Sequence, residues 1–89
     1  IRLTGDVDAG ALDRALVALV TRHEMLRSRV VADGGVPRLV VDAPPRRVLA
    51  TLAPAAGEGA GHDLVAAARA PFDLARGPLF RAALQSLPD

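Results

Sequence analysis

Between Leu12 and Ser28 the positions Leu12, Leu16, Leu19, Val20 and His23 recur at steps of four, three, one and three. That is one stripe of a helix with about 3.6 residues per turn. Ala15 lies on the same side and widens it, while Arg14, Thr21, Arg22 and Glu24 fall elsewhere on the wheel. Asp8 stands where a carboxylate can accept from the first free backbone N–H groups. The spacing predicts a helix from about Ala9 to Met25 or Leu26, running directly into a strand. Such a stripe cannot be buried by the helix alone, so it must lie against a sheet or another helix.

The flanking pattern changes period. Ile1 and Leu3 alternate with Arg2 and Thr4, which predicts a half-buried strand entering from something upstream. Arg27 to Ala32 alternates and then turns apolar, and Leu39 to Asp42 forms a second run. Asp33, Gly34 and Gly35 between them are a turn signal, so the two runs read as an antiparallel hairpin. Pro37 has no amide donor and belongs at a strand start or an outer edge. Val48 to Leu52 is a short strand. Residues 53–61 read as a soft loop. Its GEGAG portion (57–61) has the wrong spacing for a dinucleotide fingerprint and is taken as surface. His62 to Ala70 is a short second helix with Leu64, Ala67 and Ala68 on one face, stopped by Pro71. Phe72 and Leu74 are expected to point inward, Gly77 and Pro78 to turn the chain, and Leu79 to Leu87 to form a final strand. Pro88 and Asp89 read as the turn after it.

Composition adds limits. The 89 residues are 51% apolar but hold only two aromatic side chains, Phe72 and Phe80, so core volume must come from Leu, Val and Ala. A chain of this size buries only about 60–65% of its unfolded surface. There is no cysteine, which excludes disulfides and thiolate metal sites. Eleven arginines face ten acids, with no lysine and a net charge of +1. The arginines are interleaved with acids and lack an aromatic platform, which argues for coding bias and against nucleic-acid binding. No apolar run reaches the roughly 18–20 residues of a membrane span, and the start has no signal-peptide pattern. A cytoplasmic protein is the expectation, and no membrane partner is expected.

Candidate chemistry is sparse. His23 lies on the apolar stripe and reads as a packed histidine with one hydrogen bond, since no Ser, Cys or second carboxylate sits at a helpful spacing. His62 reads as a solvated surface group. Arg22 and Arg27 are five apart and point to different faces, so they are expected to fix the helix-to-strand junction rather than clamp a phosphate. Glu24 should pair with Arg27 at i, i+3. Asp73 should bond backbone groups in its own turn. No cluster has metal-ligand spacing, so catalytic, cofactor-binding and metal residues are all expected to be absent from residues 1–89.

Three patches nevertheless carry a resemblance: LTGDVDAGALDRALVALV near the start, RHEMLRSRV at 22–30 and PFDLARGPLFRAAL at 71–84. In this order they resemble the N-terminal part of a condensation domain of a non-ribosomal peptide synthetase. RHEMLRS is similar to that family's RHExLRT signature, with Arg22, His23, Glu24, Leu26 and Arg27 at the matching positions. PFDLARGPL is similar to its PFDLxxGPL stretch, through Pro71, Phe72, Asp73, Leu74, Gly77 and Pro78. Ser28 stands for the usual Thr and Val30 for the usual Phe, which shrinks one core anchor. The resemblance implies an α+β fold: a partial chloramphenicol-acetyltransferase-like lobe, with mixed and antiparallel strands covered by one long and one short helix. It makes residues 1–89 an incomplete N-terminal lobe. It implies an acyltransferase that joins a carrier-bound aminoacyl or peptidyl donor to the amine of a carrier-bound acceptor. The implied partners are upstream and downstream peptidyl carrier proteins, with their phosphopantetheine arms, and the rest of the condensation domain. The family's HHxxxDG motif would follow shortly after Asp89, so His23 and His62 are not its histidines. The alternatives are an inactive condensation-like domain that recruits a partner, or an ester-forming, cyclising or epimerising relative.

Overall fold

The computed structural model describes residues 1–54 and 62–87; the GEGAG loop, the His62 side chain, Pro88 and Asp89 lie outside the described residues. Helix α1 spans Ala9–Arg22 and helix α2 spans His62–Arg69. The strands are β1 Ser28–Asp33, β2 Val36–Val41, β3 Leu49–Thr51 and β4 Ala82–Leu84. They pair as an antiparallel β1–β2 hairpin and a parallel β3–β4 pair. Among the described residues the chain is thus α+β, with one long and one short helix, as the resemblance implies. It is also extended: its radius of gyration is 15.6 Å, against about 12 Å for a compact chain of this length.

Asp8 caps α1 by accepting from the Ala11 N–H at 3.0 Å. The helix ends three residues short of the expected Met25. His23 has left helical geometry (φ −109°, ψ 97°), although its N–H still donates to the Leu19 carbonyl. A single 3-10 turn, Glu24–Arg27, then connects to β1. The covered face of α1 also differs from the expected stripe. His23 and Leu19 are exposed, and the covered side of α1 is Leu12, Asp13, Leu16, Val17 and Val20. Positions 13, 16, 17 and 20 share one face of a helix, and that face packs on β3. Val20 and Leu49, at 3% and 6% exposure, are the buried apolar side chains among the described residues.

The hairpin turns through Gly34 and Gly35, at φ +60° and +83°. Positive φ at both central residues is what a type I′ turn requires. Register runs from Asp33 opposite Val36 to Ser28 opposite Val41. Because hydrogen-bonded and non-bonded pairs alternate away from a two-residue turn, Pro37 opposite Ala32 falls on a non-bonded pair. Its missing N–H faces outward and costs the hairpin nothing. By the same parity the Val30 N–H also faces away from β2.

Two other strand expectations shrink. Residues 1–5 form no strand, and Ile1 and Leu3 are exposed; alternation makes a strand only where a neighbour supplies hydrogen bonds. The final strand is three residues, not Leu79–Leu87, because β3 offers three residues to pair with, plus one further bond from the Leu52 N–H to the Leu84 carbonyl at 2.8 Å. On α2, Leu64 and Ala67 are half-buried while Ala68 is exposed.

Asp13 ties α1 to β3. Its Oδ1 accepts from the backbone N–H of Val48 at 2.8 Å and of Leu49 at 2.7 Å. These bonds, Leu49 first and Val48 second, hold its carboxyl below the ordinary value of 3.8; Arg47 and Arg14 act in the same direction, and partial burial opposes them. A carboxyl whose folded pKa is depressed stabilises the fold above its unfolded value and loses that stabilisation as pH falls through the folded pKa. Acid titration below pH 3.8 is therefore expected to release the Val48 and Leu49 amides to exchange in the wild type. Asp13→Asn is expected to abolish that pH dependence at these two amides. An unchanged acid profile in the variant would contradict the clamp.

Candidate functional site: the joint between two sequence motifs

The two distant motifs, 22–30 and 71–80, meet at the outer edge of β1. The outward Val30 N–H donates to the Leu74 carbonyl at 2.6 Å. Beside it, Arg29 Nη1 donates to the Ala75 carbonyl at 3.3 Å, while Arg29 Nε donates to Asp42 Oδ1 at 3.1 Å. One arginine thus links the turn after Pro71 to the end of the hairpin. The turn itself is organised by Asp73, whose Oδ1 accepts from the Ala75 and Arg76 amides at 3.1 and 3.2 Å. The Gly77 N–H donates to the Asp73 carbonyl at 2.8 Å and closes it. Arg76, 88% exposed, lies 4.0 Å from Asp73, a separation and exposure that contribute little.

Gly77 is where the approach is closest. It sits at φ +62°, and a Cβ there would lie 3.3 Å from Arg29 Cβ and 3.7 Å from the Ser28 carbonyl. The peptide bond to Pro78 is cis. Gly77→Ala is expected to destabilise the fold by about 1–2 kcal/mol from backbone geometry alone, and by more once Arg29 is displaced. Gly34→Ala is the control: its φ of +60° is similar, but nothing lies within 4 Å of the added Cβ. Equal losses in urea unfolding would show that the approach to β1 is unimportant.

On the other side of the joint, Arg27 closes the break between α1 and β1. Its Nη1 donates to the Asp42 carbonyl at 2.7 Å and its Nη2 to the Thr21 carbonyl at 3.5 Å. Glu24 pairs with it at 3.8 Å but is 70% exposed, whereas the Arg27 side chain is 16% exposed. The Asp42 N–H returns a bond to the Arg27 carbonyl at 2.9 Å. Ser28, with no exposed surface, donates its hydroxyl to the Glu24 carbonyl at 2.7 Å. A serine hydroxyl therefore satisfies the position where the resembling signature has threonine. Leu26 is half-buried, and Arg22 is exposed on the last turn of α1, where a cation suits the carbonyl end of a helix.

Three expectations need correction here. His23 is exposed rather than packed, because the helix has ended before it. Phe72 and Leu74 do not point inward: they are 44% and 56% exposed. Both lie in the turn that docks on β1 by its backbone, and the Phe72 ring instead lies under the Arg81 guanidinium, 4.1 Å from its centroid. Arg81 also donates to the carbonyls of Ala68 and Ala70 at the end of α2. Pro71 and Pro78 are exposed.

Sequence reasoning passed over Asp13, Arg29, Asp42 and Gln85. Gln85 is 7% exposed, and its Nε2 donates to the Ala53 carbonyl at 2.8 Å and to Asp63 Oδ2 at 3.1 Å. It joins the ends of β4 and β3 to the first turn of α2. For Asp13 a signal existed: it is the one acid on the face shared by Leu16, Val17 and Val20.

A cleft of about 280 Å³ lies inside the joint, with Val20, Leu26 and Phe80 among its apolar wall and Arg27, Arg47 and Arg81 among its cations. Among the described residues no group of three or more His, Cys, Asp or Glu is placed to hold a metal ion, and no helix is long and apolar enough to cross a membrane. What the geometry does is mechanical. It fixes the exit of α1, the hairpin and the turn before β4 relative to one another.

A chondramide synthase of Chondromyces crocatus is 40% identical over 88 residues, which cover 92% of this chain and 2% of that protein. A nonribosomal peptide synthetase of Curvularia clavata is 38% identical over 90 residues, 98% of this chain and 1% of that protein. A plipastatin synthase of Bacillus subtilis is 34% identical over 91 residues, 100% of this chain and 3% of that protein. The chain thus spans only a few per cent of the length of these relatives. The condensation-domain family model matches residues 1–89, so both motifs fall inside one family match and the chain belongs to the condensation domain family.

Proposed function

We propose that residues 1–89 are the opening scaffold of an amide-forming condensation domain in a cytoplasmic nonribosomal peptide synthetase. The donor acyl group and the acceptor amine arrive on the phosphopantetheine arms of upstream and downstream carrier proteins. On this reading the catalytic HHxxxDG motif of the parent domain follows Asp89. No residue of this segment acts as the base. Its part is to hold the strand β4, and whatever follows it, in a fixed direction.

The observation that carries the reading is the meeting of the two motifs, through the Val30–Leu74 and Arg29–Ala75 bonds, within a family match that spans the chain. The surface supports it. The chain exposes 6898 Å², whereas a compact protein of 9.2 kDa exposes about 4,900 Å². The difference is what further layers of a larger domain would cover. The parallel β3–β4 pair argues likewise, since parallel strands are normally covered on both faces.

The test is amide formation between two loaded carrier proteins. The parent condensation domain is expected to form product and the 89-residue chain alone to form none. Product from the short chain would overturn the assignment of chemistry to residues outside it. Failure of a parent domain that carries an intact HHxxxDG, with its carriers loaded, would overturn the enzymatic reading.

A further inference from the structure

We draw no further inference here: the strongest candidate, the arginine-lined cleft between α1, the end of the hairpin and the segment 76–81, belongs to the joint already described, with Arg27 and Arg81 committed to backbone carbonyls of the chain and nothing in the structure showing what fills it.

Discussion

Arg27→Ala is expected to lower the folding free energy by about 2–3 kcal/mol, the range for losing one good hydrogen bond from a charged donor at a partly buried site. The argument rests on which contacts are lost. The bond to the Asp42 carbonyl is short, at 2.7 Å, and shielded. The 3.5 Å contact to Thr21 is weak, and the pair with exposed Glu24 adds only a few tenths of a kcal/mol. Glu24→Gln is therefore expected to shift the urea midpoint hardly at all. Arg27→Lys tests the geometry: recovery is expected only as far as an ammonium reaches the Asp42 carbonyl, since the second arm of the guanidinium fork contributes little. Amide exchange at Asp42 is the local readout, since its N–H bonds the Arg27 carbonyl. If Arg27→Ala and Glu24→Gln proved equally mild, the side chain would be no more than a surface cation.

That position illustrates what could be read from the residues. The run Leu12–Val20 fixed the existence of α1, Asp8 fixed its start, and Gly34–Gly35 fixed the hairpin and its register. These are local signals: a period, a cap, a turn that only positive φ can make. The end of α1 carried no such signal. No Gly or Pro stands at 23–27; the strongest side-chain bond at the break, Arg27 Nη1 to the Asp42 carbonyl, joins residues fifteen apart, and such a partner is set by tertiary structure. Residues 1–5 and 79–87 failed for a related reason. Alternation shows which face a strand would bury, but strand length is set by the neighbour available to pair.

The joint was legible as two motifs and illegible as one object. Arg22–Arg27 and Pro71–Pro78 stood out through their resemblance to family signatures, yet nothing in either stretch says that they touch. One bond of the contact runs from the Val30 backbone N–H to the Leu74 carbonyl, groups that carry no side-chain signal, and the other uses Arg29, whose place in a strand does not announce its partner. The hydrophobicity of Phe72 and Leu74 predicts burial, yet both are exposed. In a chain as extended as this one, an apolar side chain can stay uncovered within residues 1–89. Exposure of isolated apolar residues is ordinary in any fold, but Phe72 and Leu74 flank the acid that organises one turn, and that turn is docked on β1.

The same scarcity of cover concentrates stability in few side chains, and this sets the other large expectation. Leu49→Ala is expected to cost about 2–3 kcal/mol, the lower part of the range for truncating a buried leucine, because a thin core leaves fewer lost contacts than a dense one. Leu49 is buried at 6% exposure on β3, beneath the face of α1 that carries Val20 at 3%, and its N–H is held by Asp13. Leu39, at 47% exposure on the hairpin, is the matched control; Leu39→Ala should change stability by about 0.5 kcal/mol or less. Urea unfolding of the two variants compares one residue type in two environments. A ratio near one would mean that α1 is held to β3 by the Asp13 carboxylate alone. A large ratio, with Val48 and Leu49 amides losing protection together in Leu49→Ala, would mean that the apolar contact and the carboxylate clamp form one cooperative unit, because the clamp can close only where the helix face is already seated on the strand.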